Sequence, residues 1–421
     1  MTPAMTPERV LRTYITLVVV STAASSMIWG INTLFLLDAG LSIGKTFAAN
    51  AFFTVGMVLF EVPTGVVADT VGRRTSYLLG TATLFGSTLL YLLLWKAQAP
   101  FVLWAVVSML LGLGFTFFSG ATEAWLVDGL HATGYGGSLD DAFAKGQVAG
   151  GIAMMAGSIG GGFLAQVTNL GTPYVVRALL LAATFTVAWR SMRDVGFTPK
   201  PRVSVRGEMG GILRLSLRHG LLNPRVRWVM LAGPFTAGVS VYGFYAAQPY
   251  LLQLYGHADA YWIAGLSAGI VAGAQIAGGA SASYVARLVR DRILILIGAI
   301  VASGAVIAVL GLVASFWAAL VLLMMWATMF AAMTPVRQAY LNSHIPSEQR
   351  ATVLSFDNLL GSAGGVVIQP GLGRSADLWG YGPTYVLSAG LQLLALPFLG
   401  RARRTGKSVE TMSDEALALQ P

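Results

Sequence analysis

The sequence predicts an all-α polytopic membrane protein with twelve transmembrane helices in two six-helix halves. Its 421 residues are 55% hydrophobic and only 11% charged, too few charges to cover the surface of a soluble domain of this size. Apolar stretches of about 20 residues, long enough to cross a bilayer, recur along nearly the whole chain. A polar connection near the middle divides six of these stretches from six more.

The twelve spans follow from the length and continuity of the apolar runs. In chain order they are 13–37, 44–68, 75–95, 100–128, 142–168, 172–190, 226–252, 260–284, 293–313, 315–340, 350–373 and 379–400. The predicted domains are an N-terminal half over 1–190, a cytoplasmic linker over 191–225, a C-terminal half over 226–400 and a tail over 401–421. A weak internal repeat supports the two halves, because residues 171–176 (Gly-Thr-Pro-Tyr-Val-Val) resemble residues 382–387 (Gly-Pro-Thr-Tyr-Val-Leu).

Basic residues are distributed unevenly between the two sides of the predicted bundle. If both termini lie on one side, that side collects 23 of the 27 lysine and arginine residues, and the other side 3. Cytoplasmic loops of membrane proteins carry such an excess. We therefore expect both termini in the cytoplasm and the chain in the inner (plasma) membrane. The net charge of +9 belongs to these loops, so no nucleic-acid partner is expected.

The turn between the second and third spans contains the most informative short pattern. It holds, in order, Gly65, Ala68, Asp69, Gly72, Arg73 and Arg74. Gly65 and Gly72 are expected to allow close backbone approach or unusual dihedral angles in a sharp turn. Arg73 and Arg74 hold the turn on the cytoplasmic side. Asp69 is placed to meet a helix N-terminus or an arginine.

This spacing of glycine, aspartate, glycine and two basic residues resembles the loop 2–3 motif of the major facilitator superfamily of secondary transporters. The resemblance covers essentially the whole chain. It implies two parallel six-helix halves around a central cavity, and transport of a small molecule by alternating access. It also implies that an acid at the cytoplasmic end of the fourth span pairs with the motif arginine as a latch. Asp128 and Arg73 occupy these two positions.

Carboxylates within the spans are candidates for proton coupling, because buried ionisable groups are costly in a membrane. Glu123 lies deeper than Asp128, and desolvation would raise its pKa and suit it to carry a proton. A structural hydrogen bond to a neighbouring helix is the alternative. Glu61 is expected to support the latch or to carry a proton. Antiporters of the superfamily often have an arginine in the fourth span, but residues 108–114 contain none. Any proton coupling must therefore use carboxylates.

Two further pairs of charges are candidate gates. Arg177 near the start of the sixth span and Asp38 at the end of the first are expected to form an outer gate. Arg337 and Asp357 are expected to form a gate in the second half, or to anchor helix ends to lipid headgroups. The glycines of residues 157–162, where antiporters of the superfamily carry a proline in place of Ser158, permit close helix packing.

In the superfamily the first, fourth, seventh and tenth spans line the cavity. Aromatic, methionine and amide side chains there suit bulky ligands with one polar edge. The candidates are Trp29, Asn32, Phe115, Trp125, Tyr242, Tyr245, Gln248, Trp326 and Met329. Ordinary packing between helices is the alternative for each of them.

No catalytic or metal-binding pattern is present in the sequence. The four histidines lie far apart, and no lysine follows a glycine-rich phosphate loop. We expect no enzyme and no cofactor beyond a proton gradient. The predicted function is proton-coupled efflux of a hydrophobic or amphipathic small molecule, such as an antibiotic, drug or natural product, by a monomeric multidrug-resistance type of antiporter. A proton-coupled importer of a metabolite and a non-transporting membrane sensor are the alternatives.

Overall fold

The computed structural model of the protein describes residues 5–118, 120–199, 205–288, 291–346 and 349–405, and these ranges contain helices and no β-strand. The helices are α1 (Pro7–Ser26), α2 (Asn32–Asp38), α3 (Ile43–Thr70), α4 (Arg73–Ala97), α5 (Phe101–Thr116), α6 (Ala121–Ala132), α7 (Leu139–Val167), α8 (Thr172–Ser191), α9 (Val205–Ser216), α10 (Arg227–Tyr255), α11 (Tyr261–Leu288), α12 (Arg292–Leu312), α13 (Phe316–Ser343), α14 (Arg350–Trp379) and α15 (Tyr381–Leu393). A π-helical turn follows α9 at Leu217–Leu221.

The predicted all-α polytopic membrane fold is confirmed. Within the described ranges, ten helical segments are long and apolar enough to cross a membrane. The first predicted span corresponds to α1 and α2, and the eleventh to α14, and neither is among these ten. In the first span a break leaves α2 only 7 residues long. The 30-residue helix α14 carries Arg350, Asp357, Arg374 and Asp377.

Two spans that we expected to be continuous are interrupted. In the first, α1 ends at Ser26 and α2 begins only at Asn32. In the fourth, the interruption lies between Thr116 and Ala121, where Gly120 has a φ of 68°. This left-handed conformation favours glycine and ends the regular helical path. Ser76 on α4 donates its hydroxyl hydrogen bond to the carbonyl oxygen of Phe117 (2.9 Å), and so satisfies a polar group exposed by the break.

The linker between the halves is also partly helical. The amphipathic helix α9 and the π-helical turn lie within the segment 191–225, for which the sequence analysis had assigned no helix. Ser216 at the end of α9 is buried, and its hydroxyl lies 3.5 Å from the carbonyl oxygen of Thr352 on α14.

The chain forms two compact units. The first comprises Met1–Glu208 with Tyr245–Ala272, and the second Met209–Phe244 with Gly273–Pro421. In the first unit Leu17, Tyr77 and Trp125 belong to one apolar core shared by α1, α4 and α6. The second unit has its own core, built from α10, α12, α13 and α14. The half boundaries expected from the sequence remain predictions.

Glycines bring α1 and α7 into close contact in the first unit, as the sequence predicted. A Cβ atom at Gly161 would collide with the carbonyl oxygen of Met27, and one at Gly157 would collide with Ser26. The hydroxyl of Ser26 also lies 3.3 Å from the carbonyl oxygen of Ala153 on α7. Small residues at such positions let helix backbones approach within a membrane.

Replacement of one of these glycines is expected to push the two helices apart. Gly161→Ala should lower the free energy of unfolding by about 1–3 kcal/mol, because an added methyl group must displace backbone. Gly160→Ala is the matched control, since a Cβ atom there would meet nothing within 4 Å. Thermal unfolding of the purified variants measures both effects. An equal loss of stability in the two variants would contradict the proposed packing.

Candidate functional site

The turn between α3 and α4 depends on Gly72. This residue caps α4 with a φ of 136°, a conformation that side-chain-bearing residues rarely adopt. A Cβ atom at Gly72 would also collide with the carboxylate of Asp194. The expected role of Gly65 is wrong, because Gly65 lies exposed inside α3 and a Cβ atom there would meet nothing within 4 Å. Gly65 precedes the end of α3 by more than one turn, so it takes no part in the reversal.

Arg73 lies between two carboxylates from different helices. Its Nη1 atom forms an ion pair with Asp69, four residues earlier near the end of α3. Its Nε atom lies 3.9 Å from Oδ2 of Asp128 on α6. The guanidinium also lies 5.7 Å from the ring centre of Phe197, within the range of a cation–π contact. The expected meeting of Asp69 with an arginine is confirmed, whereas the role of Arg73 and Asp128 as a latch stays a prediction.

The acid at the N-terminus of α4 is Asp194, which the sequence analysis did not identify. Its Oδ1 atom accepts a hydrogen bond from the backbone N–H of Arg74 (2.9 Å). Arg74 in turn donates from Nη2 to the carbonyl oxygen of Trp189 (2.7 Å). Trp125 donates from Nε1 to the carbonyl oxygen of Arg193 (2.7 Å). These bonds connect the segment after α8 to the motif turn. No sequence pattern near Asp194 predicts its contact with Arg74, which lies 120 residues earlier in the chain.

Asp194 gives this turn a pH dependence. Burial raises the pKa of Asp194 above its usual 3.8, against the lowering effects of the Arg74 N–H bond and of the Arg74 and Arg73 charges. The folded state therefore binds this proton more tightly than the unfolded chain does. The free energy of unfolding of the native protein, relative to Asp194→Asn, should be highest below pH 3.8 and should fall as the pH rises through the raised pKa.

Asn keeps the capping oxygen and removes the titration, so Asp194→Asn isolates this effect. Thermal unfolding of both proteins from pH 3.5 to 7 measures the difference. A constant difference across this range would refute the raised pKa.

Glu123 does not occupy the buried position that its proposed proton role required. It is exposed in the first turn of α6, directly after the break in the fourth span. An acid is favourable there because it faces the positive end of the helix dipole. Its charge acts on the nearby Tyr14. The role of Glu123 in proton coupling stays a prediction. Glu61 lies half-buried in α3, two turns before Asp69, and its roles remain predictions.

Several candidate cavity residues of the first unit bond to neighbouring helices. Asn32 accepts a hydrogen bond from the Tyr174 hydroxyl (3.0 Å) and donates to Oδ1 of Asn50 (3.0 Å). Gln248 donates to the carbonyl oxygen of Trp29 (2.6 Å). Its own Oε1 atom accepts from the backbone N–H of Thr33 (2.9 Å). The polar atoms of Asn32 and Gln248 therefore join α2 to α3, α8 and α10 in this structure.

The other candidate cavity residues are mostly packed. Phe115 makes an edge-to-face contact with Phe53 (ring centres 5.5 Å apart), and Trp125 is 1% exposed in the core. Trp125 therefore packs between helices, which is the alternative to a place in the cavity. In the second unit Trp326 packs over Gly243, and Tyr242 lies beside Tyr385; Met329 is half-buried. Tyr245 belongs to the first unit, where its carbonyl oxygen accepts from the Thr33 hydroxyl (3.0 Å). Contact of any of these residues with substrate remains a prediction.

The expected pair of Arg177 and Asp38 does not form. Asp38 accepts a hydrogen bond from Nε1 of Trp95 (2.7 Å), and Arg177 donates from Nε to the hydroxyl of Thr88 (3.1 Å). Arg177 points into the interior of the first unit, where it is only 2% exposed.

The charges of the second unit do pair. Nη2 of Arg337 donates to Oδ1 of Asp357 (2.7 Å), and Nη1 contacts Oδ2 of the same carboxylate. Nη2 also donates to the carbonyl oxygen of Val229 (3.2 Å). Asp357 is 4% exposed, so this is a buried bidentate pair between α13 and α14. A part in gating stays a prediction.

The structure is thus a helical bundle in which an arginine at a tight turn lies between two acids. The chain belongs to the Major Facilitator Superfamily, whose sequence profile matches residues 14–369. A search of the curated proteins finds no match.

The solved structures that the fold resembles are also transporters. The nucleoside transporter NupG has 12% sequence identity and a TM-score of 0.70, covering 93% of this chain and 98% of its own. The peptide transporter POT in complex with sulfate has 14% identity and a TM-score of 0.70, covering 94% and 95%. A POT family transporter in complex with 5-aminolevulinic acid has 12% identity and a TM-score of 0.70, covering 94% and 96%. At these identities the likeness establishes the fold alone.

Proposed function

We propose that the protein exports a hydrophobic or amphipathic small molecule from the cytoplasm in exchange for protons. The observation that carries this proposal is the position of Arg73, which contacts Asp69 and approaches Asp128 on a different helix. Ion pairs that connect helices near a turn are suited to hold one of two conformations, as alternating access requires. A non-transporting sensor has no need of such a contact.

The type of substrate follows from the candidate residues in the first, fourth, seventh and tenth spans. They are mainly aromatic and apolar, with a few amide groups, which suits a bulky ligand with one polar edge. Residues 108–114 contain no basic residue, so the proton is carried by carboxylates. The driving force in this proposal is the proton gradient, with no other cofactor. The protein acts as a monomer in the plasma membrane with both termini in the cytoplasm, as the distribution of basic residues favours.

Import of a polar metabolite is the second candidate function. It is favoured by the amide groups of Asn32 and Gln248 and by the nucleoside and peptide transporters among the similar folds. An importer in symport with protons would use the same acids in the opposite direction.

Proton movement in proteoliposomes tests the proposed function. Internal pH is followed while lipophilic drugs and small metabolites are added under an imposed pH gradient. Proton flux opposite to the flux of a lipophilic compound supports antiport, and flux in the same direction as a metabolite supports import. Binding of compounds without any proton movement would overturn proton coupling.

A further inference from the structure

Arg177 on α8 is a buried cation without an acid beside it. Within the described part of the chain, its one side-chain hydrogen bond runs from Nε to Thr88. The ionisable groups near enough to act on its charge are the hydroxyls of Tyr174, Tyr91 and Tyr245, with no carboxylate among them. Arg177 therefore brings a full positive charge into the apolar interior of a membrane-spanning unit.

An isolated charge in such a place is costly, and buried arginines are normally paired with acids. The second unit follows this rule, because Arg337 makes two contacts with Asp357. In the first unit the nearest acid expected from sequence, Asp38, is instead bonded to Trp95. No carboxylate of the described residues therefore accepts a hydrogen bond from Nη1 or Nη2 of Arg177. These two donors can bond to another acceptor.

The fold itself does not demand an arginine at this position. The repeat that aligns Tyr174 with Tyr385 places Ser388 opposite Arg177 in the second unit. Tyr385 is buried as Tyr174 is, and both tyrosines donate hydrogen bonds. Ser388 donates a hydrogen bond within its own helix, to the carbonyl oxygen of Thr384 (2.7 Å). The same helix packing is thus compatible with a small neutral side chain.

The surroundings of Arg177 combine aromatic walls with hydroxyl groups. Phe35 stacks on Tyr174 with ring centres 3.9 Å apart, and Tyr91 lies parallel to Tyr174 at 6.2 Å. The Tyr91 hydroxyl is 2.6 Å from that of Ser108. A planar guanidinium offers two parallel donors to a carboxylate, and aromatic rings accept an apolar body.

We propose that Arg177 binds the carboxylate of an amphipathic organic acid, and that this acid is the transported substrate. The inference rests on the proposed function, because the guanidinium is closed to solvent here and alternating access supplies the open conformation. An inorganic anion such as chloride offers the same charge, so the test must distinguish a free ion from the acid group of a substrate.

The experiment measures equilibrium binding in detergent to a panel of aromatic and aliphatic carboxylic acids, each beside its uncharged primary amide. The wild-type protein should bind at least one acid more tightly than its amide. Arg177→Ser introduces the residue type that Ser388 provides at the equivalent position of the second unit. This variant should bind that acid about 30-fold or more less tightly, equivalent to about 2 kcal/mol, and should bind the amide as the wild type does. Arg177→Lys should restore part of the preference for the acid.

Chloride titration in place of the acids forms the second arm. Stabilisation of the wild type, but not of Arg177→Ser, by chloride alone would replace the organic acid with a free ion and overturn the proposal. Equal binding of every acid and its amide by the wild type would also overturn it, even if Arg177→Ser fails to fold. These measurements need no proton gradient. Arg177-dependent acid binding without proton movement in vesicles would therefore refute antiport and leave the acid site standing.

Discussion

Asp357→Asn is expected to lower the free energy of unfolding by about 3–5 kcal/mol, the largest loss we foresee for any single substitution. The Asp357 carboxylate is 4% exposed and contacts both Nη atoms of Arg337. The neutral amide would leave the partly buried guanidinium without a countercharge, and would turn an N–H donor toward one of its Nη atoms. The amide oxygen can keep one hydrogen bond from Arg337, which also retains its bond to the carbonyl oxygen of Val229.

The measurement is thermal or denaturant unfolding of the purified protein in detergent. Asp259→Asn, in the connection between α10 and α11, is the control, because this side chain is exposed. That substitution should change the free energy of unfolding by about 0.5 kcal/mol or less. Joint replacement of Arg337 by Met and Asp357 by Leu should recover most of the loss, since no charge is then left unpaired. Equal effects of Asp357→Asn and Asp259→Asn would rule out a special role for the buried pair.

Arg73→Ala is expected to slow transport about 10- to 100-fold. A hydrogen bond between charged groups contributes about 1.5–3 kcal/mol, and its loss from one of two conformations shifts their populations by a corresponding factor. Since Asp69 contacts Arg73 directly and Asp128 lies 3.9 Å away, Asp69 should show the larger coupling energy with Arg73. Transport rates in proteoliposomes, measured for the single and double variants, give both coupling energies.

Arg374→Ala removes an exposed arginine and should leave the transport rate near that of the native protein. If Arg73 and Asp128 act additively but Arg73 and Asp69 do not, the turn is stabilised locally and the connection to α6 is dispensable. Additivity of both pairs would leave the latch without support.

The sequence was sufficient to predict the apolar helices, but it predicted neither the linker helix α9 nor the breaks in the first and fourth spans. Apolar length fixes the bounds of a span to within a few residues, as the predicted 172–190 and the observed α8, Thr172–Ser191, illustrate. The break before α6 depends on the left-handed Gly120 and on a bond from Ser76 on another helix. The hydropathy of the sequence indicates neither the positive φ of Gly120 nor this contact between helices.

The candidate site was also predicted only in part, because some of its contacts join residues that are far apart in the sequence. The spacing of Asp69 and Arg73, four residues apart across a turn, predicts their contact. The contribution of Asp194 arises only because the chain returns beside α4 after 120 residues. Glu123, expected to be buried, is exposed in the first turn of α6, and hydropathy alone does not predict which side of a span faces a neighbouring helix.

The interruptions in the first and fourth spans have a mechanical consequence. A continuous helix is stiff, so a tilt at one end moves the other end as well. Each of these two spans instead consists of two helices separated by a short break. In the fourth span, α6 carries Asp128, and α5 is held to α4 through Ser108 and Tyr91. A change in the angle between α5 and α6 would separate Asp128 from Arg73 without breaking the contact between α4 and α5, so one end of the fourth span could move while the other stays in place.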